Sequence, residues 1–526
     1  MPVARRVFLA LGANIAPRAP PLTAAVSALA SHPDITLTAT SGLYRTAPAH
    51  IVDQPAYYNA AASVVTTLSP AALLAATQAI EAAAGRPSPR DGHTRRQQRY
   101  GPRVLDVDIV AFADGGTFND PPRLTVPHPR LTERRFVLGP LADVGAGPVR
   151  VPGTGGRTVA DLLAALPPAP DTVRLMPLPR GRSRVWGAAT SVAAILNVTP
   201  DSFSDGGRLS TPVSVADEAE RLVHAGVRHL DIGGVSTRPG ATAVTAAIEA
   251  DRLLPALTAV RERLCGEDIL ISADTYRGSV AAAAVAAGAD MINDVMGGRG
   301  PADGPGGAGT VGVAAATGVP LVLMHSRGGM ESVAGVGNGG DDTDTEADGV
   351  RRSARELGAA VSAALAVGVP GWALLADPGL GFGKGHAVSA ATLRRLADWS
   401  TALAGGVARV SGGWAERDDP AAAAASASGV VEGNEGEGRR GVMTPTPWEG
   451  ARLPLMVGPS RKRFLAAICR GSNDVERLVG KEELDWATAA AVVATVAGGG
   501  DIVRVHHEAA VTVARVADVL LRGRDW

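Results

Sequence analysis

Two aspartates one residue apart, Asp106 and Asp108, lie in the run Arg103-Val104-Leu105-Asp106-Val107-Asp108. On a β-strand, residues two apart share a face, so both carboxylates project to one side while Val107 and Ile109 enter the layer behind. Adjacent carboxylates repel each other unless a cation lies between them. A hard divalent ion fits, and Mg²⁺ typically takes one or two carboxylates together with substrate phosphates. The plainer alternative is an edge strand with two solvated aspartates. The surrounding arginines favour the first reading: Arg86, Arg90, Arg95, Arg96, Arg99 and Arg103 precede the pair, and Arg123, Arg130, Arg134 and Arg135 follow it. Such a surround suits a polyphosphate whose charge must be held and then redistributed during transfer. No Walker A sequence occurs, so a P-loop is not the device.

A second set of polar residues marks the remainder of the chain. Short apolar runs at 193–198, 229–232, 269–273, 291–292, 320–324, 373–376, 453–457 and 501–505 alternate with helix-length segments. Strand–helix units in that number predict a closed (β/α)8 TIM barrel, with an open doubly wound sheet as the rival. Asn197, Asp231, Asp274, Asn293 with Asp294, His325, Asp377, Ser460 with Lys462, and Arg504 with His506 fall at or just after the end of a run. In a barrel those positions face one mouth. The loops after Asn197 and Asp231 are rich in glycine and small hydroxyl residues, and Arg238 adds a positive charge. Backbone amides in such loops can approach an anion closely.

These residues need elements to carry them. The chain has 526 residues, beyond the roughly 250–300 at which single cores stop growing, so two domains are expected. Residues 1–166 mix strand-like runs (7–11, 35–40, 60–66, 104–112) with helical ones (22–30 and 70–84), the latter opened by Ser69 as N-cap and Pro70 at its first position. That order predicts a small α+β sheet with helices on one face. Residues 167–187 are crowded with prolines and read as a stiff linker, and 188–526 form the barrel. The stretches 300–309, 334–349 and 418–441 are rich in Gly, Ala or acidic residues and read as inserted mobile loops.

Charge narrows the partners. Lys and Arg number 51 against 52 Asp and Glu, a net charge of -1, so no global field draws in nucleic acid or an anionic membrane. Only Cys265 and Cys469 occur, which excludes a disulfide-stapled scaffold and a thiolate metal site. The first apolar run is far shorter than the roughly 20 residues of a membrane span. A reducing compartment is expected, not the secreted space.

The first domain resembles the 6-hydroxymethyl-dihydropterin pyrophosphokinases. The resemblance is carried by Leu11-Gly12-Ala13-Asn14, Tyr44-Arg45-Thr46-Ala47-Pro48, Gln54-Pro55-Ala56-Tyr57-Tyr58-Asn59, Glu81 with Gly85-Arg86, the segment Gly101 to Asp108, and Val126-Pro127-His128-Pro129 with Arg134 and Phe136. It implies a ferredoxin-like α+β fold, with ATP as co-substrate and a pterin hydroxymethyl group as acceptor of pyrophosphate. Asp106 and Asp108 would bind two Mg²⁺, Asn59 would read the pterin, and Tyr57 and Phe136 would flank its ring. Glu81, Arg86, Arg103, Arg123, His128 and Arg134 would hold nucleotide or the transferring group, with Thr46 among the substrate contacts. Tyr100 and Pro129 depart from the family pattern, and the segment between Arg86 and Tyr100 is extended, which leaves its individual arginines unassigned.

The barrel resembles dihydropteroate synthase through Asn197-Val198-Thr199-Pro200-Asp201-Ser202-Phe203-Ser204-Asp205, Asp231-Ile232-Gly233-Gly234-Val235-Ser236-Thr237-Arg238-Pro239-Gly240, Asp377-Pro378-Gly379-Leu380-Gly381-Phe382-Gly383-Lys384, Gly458-Pro459-Ser460-Arg461-Lys462 and Arg504-Val505-His506. The resemblance implies that Asp274, Asn293, Asp377 and Lys462 bind the pterin edge. Asn197 would ligate Mg²⁺, and Arg238, Arg504 and His506 would hold pyrophosphate. Thr237, Pro239, Phe382, Ser460 and Lys462 would bound a p-aminobenzoate pocket, with Phe203 and Asp205 covering the reacting carbon. A homodimer through the barrel is implied as well, and so is a cytoplasmic or mitochondrial-matrix location. Two other readings remain: a corrinoid-dependent pterin methyltransferase barrel, which gives no reason for the Thr-Arg-Pro and Ser-Arg-Lys motifs, and a non-catalytic first domain, against which the intact aspartate pair argues.

Overall fold

The computed structural model describes residues 3–48, 53–85, 101–199, 211–235, 244–327, 345–411, 452–471 and 479–524. The first domain is built on an antiparallel sheet. β1 (Arg5–Ala13) lies between β4 (Tyr57–Thr66) and β5 (Asp106–Phe112), and the far edge of β4 is shared by β2 (Ile35–Thr40) and β3 (Leu43–Thr46). A separate ribbon pairs β6 (Phe118–Asp120) with β7 (Leu124–Val126).

Helices cover both faces of the sheet, not the one expected. Val7, Leu9 and Leu11 pack with Leu22, Val26 and Leu29 of helix Ala19–Ser31 and Leu73 of helix Pro70–Ala83. Phe8 turns the opposite way, toward Val137, Leu138 and Leu141 of helix Arg135–Asp143 and Leu162 of helix Val159–Ala165. The second cover was missed because both helices are short, nine and seven residues. Ser69 does cap helix Pro70–Ala83, accepting from the Ala72 N–H at 3.2 Å.

The linker expectation is corrected. β8 (Val173–Pro177) and β9 (Ser183–Val185) form a hairpin, and β8 pairs with β3 and so extends the first domain's sheet. The loop end of that hairpin seals the barrel floor: Met176 and Leu178 pack with Ala193, Leu270, Met291, Val322, Leu375, Met456 and Ile502, contributed by separate strands. Arg180, Arg182 and Arg261 converge on Asp290, whose side chain is wholly buried. The prolines and arginines that looked like a solvated spacer are a clamp between the two domains.

Eight parallel strands follow: β10 (Ser191–Asn197), β11 (His229–Gly233), β12 (Leu270–Asp274), β13 (Met291–Asp294), β14 (Leu321–Met324), β15 (Leu374–Asp377), β16 (Met456–Val457) and β17 (Ile502–Val505). They pair in sequence order, with β17 beside β10, and a parallel bridge between Ala376 and Leu455 closes the ring. Helix Glu346–Ala366 places Leu357, Val361 and Leu365 in the same apolar cluster as Leu37 of β2 and Leu29, so the two domains share a continuous core.

Two of the expected mobile loops differ. Residues 300–309 are tied to helix Gly278–Ala286, where the Ser279 N–H and Oγ donate to Asp303 at 2.9 and 2.8 Å. Thr345 caps helix Glu346–Ala366, so 346–349 are helical. Local hydrogen bonds offset the ordering cost that composition alone does not reveal. Residues 334–344 and 418–441 lie outside the described residues.

Candidate active sites

β1 alternates large and small. Leu9 and Leu11 point into the core, whereas Ala10 and Gly12 face the other way and leave a shallow floor. In register, Gly12 pairs with Asn59 on one side and Asp106 on the other, and Ala10 pairs with Asp108. Asn59 and Asp106 therefore stand about 10 Å apart across two strand spacings. Any Cβ at Gly12 would lie 3.3 Å from Asn59 Oδ1. The result is a cleft of about 230 Å³ whose walls include Thr46, Gln54, Tyr57, Asn59, Arg103, Asp106, Asp108, His128, Arg134 and Phe136.

Asp106 and Asp108 share the cleft face, while Val107 and Ile109 are buried behind them. Asp108 is pushed up to about 7, first by burial and then by the Asp106 charge, with Arg103 and Arg134 opposing. That is the electrostatic mark of a carboxylate pair short of positive charge. Arg103 is ion-paired to Asp106. Arg134 lies over the Phe136 ring at 5.8 Å, and its Nε is buried with no hydrogen-bond partner among the described residues. His128 accepts the Arg130 N–H on Nδ1 at 3.1 Å, so its proton sits on Nε2; burial pushes its pKa down to about 4, and the ring is a neutral donor. Asn59 donates to Thr46 Oγ1 at 2.7 Å.

Two expected residues stand elsewhere. Glu81 is buried and accepts the Val107 N–H at 2.8 Å, so it braces the aspartate strand from behind and does not line the cleft. Arg123 is exposed in the turn between β6 and β7. Arg86 lies outside the described residues. Asn14 had no assigned role, yet it is fully buried and works as a bracket. Its Oδ1 accepts the Arg103 N–H at 2.7 Å, and its Nδ2 donates to Gln54 at 3.1 Å.

At the barrel mouth, residues distant in sequence form one charged lattice. Arg504 donates from Nε to Asp231 and from Nη2 to Asp274, each at 2.5 Å. Asn293 donates to the same Asp231 carboxylate at 3.1 Å, Ser272 donates to its other oxygen, and His229 meets Ser272 at 2.9 Å. Asp274 is pushed up to about 7 by burial, against the pull of Arg504. The anion-binding role expected of Arg504 is thus qualified: two of its nitrogens are committed to carboxylates. Asp231 was noted only as a strand-end residue, because the 273-residue separation from Arg504 gives no local signal.

On the other side of the mouth, burial raises the pKa of Asp377, whose Oδ1 accepts the Gly379 N–H at 2.7 Å. Lys462 is pushed down to about 8 by burial, and its Nζ lies 4.0 Å from the centre of the Phe382 ring. Phe382 packs on Tyr276, Val295, Met296 and Met324. Ser460 Oγ and His506 Nδ1 meet at 2.9 Å, joining the seventh and eighth strand ends. Asn197 is half-buried at the end of β10. Asp294 is spent on the Met296 and Gly298 N–H groups and the Thr310 hydroxyl, which makes it a loop brace. Asp205, Thr237, Arg238, Pro239 and Phe203 lie outside the described residues.

Among the described residues no three His, Cys, Asp or Glu side chains cluster as a metal cage, and no helix is long and apolar enough to cross a membrane.

Comparison with known proteins follows the two-site division. The family model for 7,8-dihydro-6-hydroxymethylpterin-pyrophosphokinase matches residues 8–146, and that for pterin binding enzymes matches 193–431. The mitochondrial folate synthesis bifunctional protein of Arabidopsis thaliana is 34% identical over 98% of this chain and 83% of its own length. That of Pisum sativum is 34% identical over 95% of this chain and 86% of its own. The folic acid synthesis protein fol1 of Pneumocystis carinii is 33% identical over 95% of this chain but only 57% of its own length. In fold, the wild-type Plasmodium falciparum HPPK-DHPS structure with pteroate covers 99% of this chain and 96% of its own at a TM-score of 0.64, with 17% identity.

Proposed function

This chain belongs to the bifunctional folate synthesis proteins, and on that premise we propose how its own residues divide the two reactions. In the first, the hydroxymethyl oxygen of a dihydropterin attacks the β-phosphorus of ATP; the new O–P bond forms as the bond to AMP breaks. Asn59 and Thr46 read the pterin edge between the aromatic walls of Tyr57 and Phe136. Arg103, Arg134 and neutral His128 donate to phosphate oxygens, and the unpaired Arg134 Nε is a ready donor.

The donor set fits Mg²⁺: two side-by-side carboxylates, Asp108 raised by burial and then by the Asp106 charge, would ionise together once positive charge is supplied. Asp106 and Asp108 would hold the ion, which when bound would supply positive charge against the phosphates. Asn197, half-buried at the end of β10, would be the corresponding ligand at the barrel.

In the second reaction, the amine of p-aminobenzoate attacks the pterin methylene carbon, and the C–O bond to pyrophosphate breaks. The amine is neutral at pH 7, so no strong base is needed; the protein must stabilise the departing charge. Asp377 Oδ2, Asp274 and Asn293 take the pterin N–H and carbonyl groups, with Arg504 setting the Asp274 carboxylate. Lys462, Phe382 and Ser460 bound the aromatic acid, and His506 and the remaining Arg504 nitrogen take pyrophosphate; by the family resemblance Thr237 and Pro239 would join the first group and Arg238 the second.

We also place the domain boundary within 167–187, the segment that holds the hairpin, and a homodimer on the barrel helices, where Trp486 and Leu520 are 72% and 74% exposed. Light scattering tests the dimer. The location we propose is the cytoplasm or, as in the names of the plant relatives, the mitochondrion.

The observation that carries the reading is the two-sided floor at Gly12, with Asn59 on one flank and the aspartate pair on the other. Its test is separability. Asp106→Asn should remove ATP-dependent pyrophosphorylation while the barrel still condenses supplied pterin pyrophosphate, and Asp377→Asn should do the reverse. Loss of both steps in either folded variant overturns the division.

A further inference from the structure

Lys384 ends the turn Gly379-Leu380-Gly381-Phe382-Gly383, and its ammonium is drawn inward. Nζ lies 2.6 Å from His325 Nδ1 and donates to the carbonyls of Gly379 at 3.0 Å, His325 at 3.3 Å and Phe382 at 3.4 Å. Behind it, His325 Nε2 meets Glu356 Oε2 at 2.7 Å, and Arg327 holds the other Glu356 oxygen at 3.0 Å. With Nδ1 accepting from the ammonium, the ring proton sits on Nε2 and is given to Glu356.

Two other side chains hold the turn by its N–H groups, Asp377 Oδ1 at Gly379 (2.7 Å) and Ser389 Oγ at Gly381 (3.2 Å), and Leu380 is buried in the core, but Lys384 is the side chain that gathers its carbonyls. Gly379, Gly381 and Gly383 all have positive φ (60, 78 and 62°), a backbone with high freedom in solution. It lies flat on the end of β14: a Cβ on Gly379 would come 1.9 Å from the His325 carbonyl oxygen, and one on Gly383 would come 2.6 Å from Arg327 Cβ. The Phe382 N–H closes the turn on the Gly379 carbonyl at 3.1 Å. The side chain so aimed is Phe382, whose ring meets Lys462 Nζ.

We propose that Lys384 is a positioning residue for the synthase reaction: by gathering the Gly379 and Phe382 carbonyls against His325, it sets the Phe382 ring against Lys462 as the wall on which the aromatic acid is seated. This rests on the reading of the mouth as the p-aminobenzoate site. Lys384 touches no reacting atom; of the pterin contacts, Asp274 and Asn293 stand on other strands, and Asp377 meets the turn only through Oδ1 at the Gly379 N–H, so removal of Lys384 acts first on the seat.

The test uses the full chain, with Lys384→Met and Lys384→Gln assayed for KM and kcat with each synthase substrate and for pyrophosphokinase activity. Wild type must make dihydropteroate; if it does not, the reading of the mouth fails, separately from this proposal. Given that activity, the KM for p-aminobenzoate is expected to rise by about tenfold while that for pterin pyrophosphate changes by less than about threefold and pyrophosphorylation is retained. Combining Lys384→Met with Phe382→Leu should add nothing to Phe382→Leu alone. If Met prevents folding, Gln decides. A smaller selective rise, an equal rise in both KM values, additive losses in the double variant, or failure of both variants to fold overturns the proposal.

Discussion

Arg504 Nη2 lies 2.5 Å from Asp274 Oδ2, joining the eighth barrel strand to the third across the mouth, while its Nε takes Asp231 from the second. The pair makes the pterin-facing carboxylate and the cation one unit. Arg504→Ala leaves Asp231, which is fully buried, and Asp274 without compensation. Breaking a buried pair this way costs about 3–5 kcal/mol, so the barrel should unfold earlier in denaturant and condensation should be abolished. Pyrophosphorylation assayed below that transition should persist.

The alkaline limb of the synthase should belong to Lys462. Burial pushes its pKa down to about 8, so the ammonium is present below that pH and lost as pH rises through it. A kcat/KM profile for p-aminobenzoate should fall above about 8, and Lys462→Arg should remove that fall by keeping the charge. An unchanged limb in the arginine variant contradicts the assignment.

Acid should destabilise the barrel through His229. Burial pushes its folded pKa down to about 4, against 6.5 for an unperturbed imidazole. The unfolded chain therefore binds the proton first. Stability is fully present above about 6.5 and is lost as pH falls toward about 4, on the order of 3 kcal/mol in all. His229→Gln, which keeps a partner for Ser272, should flatten that slope in unfolding measurements.

The hairpin floor predicts where the chain can be cut. Met176 is 1% exposed beneath the barrel, and Met176→Ala should cost about 2–5 kcal/mol by leaving a cavity. A fragment starting at 188 should be less stable in urea than one starting at 172.

Asn14 should matter to the first reaction without touching substrate. Asn14→Ala keeps the two backbone bonds to the Arg103 carbonyl but removes the side-chain link between the Arg103 N–H and the Gln54 segment, and misplacement on the order of 1 Å costs about 10²-fold. Pyrophosphorylation should fall by about that factor while condensation is unchanged.

What the residues disclosed beforehand follows a physical line. The Asp106/Asp108 face was legible because a strand's period is two, and the barrel mouth because polar residues punctuate its apolar runs. Contacts between remote positions were not legible: Asp231 with Arg504 share no local pattern, and nothing near Lys384 in the chain points to His325, 59 residues away. The hairpin at 173–185 was hidden by its own composition, since Pro177 and Pro179 flank a turn yet resemble a spacer. Glu81 was assigned to ligand by the family resemblance alone, and the Val107 N–H it satisfies leaves no trace in sequence.

The most direct measurement is a coupled assay with the purified chain, ATP, Mg²⁺, 6-hydroxymethyl-dihydropterin and p-aminobenzoate, reading dihydropteroate. Product should appear only with all components present, and supplied pterin pyrophosphate should bypass the need for ATP. Dihydropteroate from pterin pyrophosphate but none from ATP and pterin, with Asp106 and Asp108 intact, would contradict two working sites in one chain.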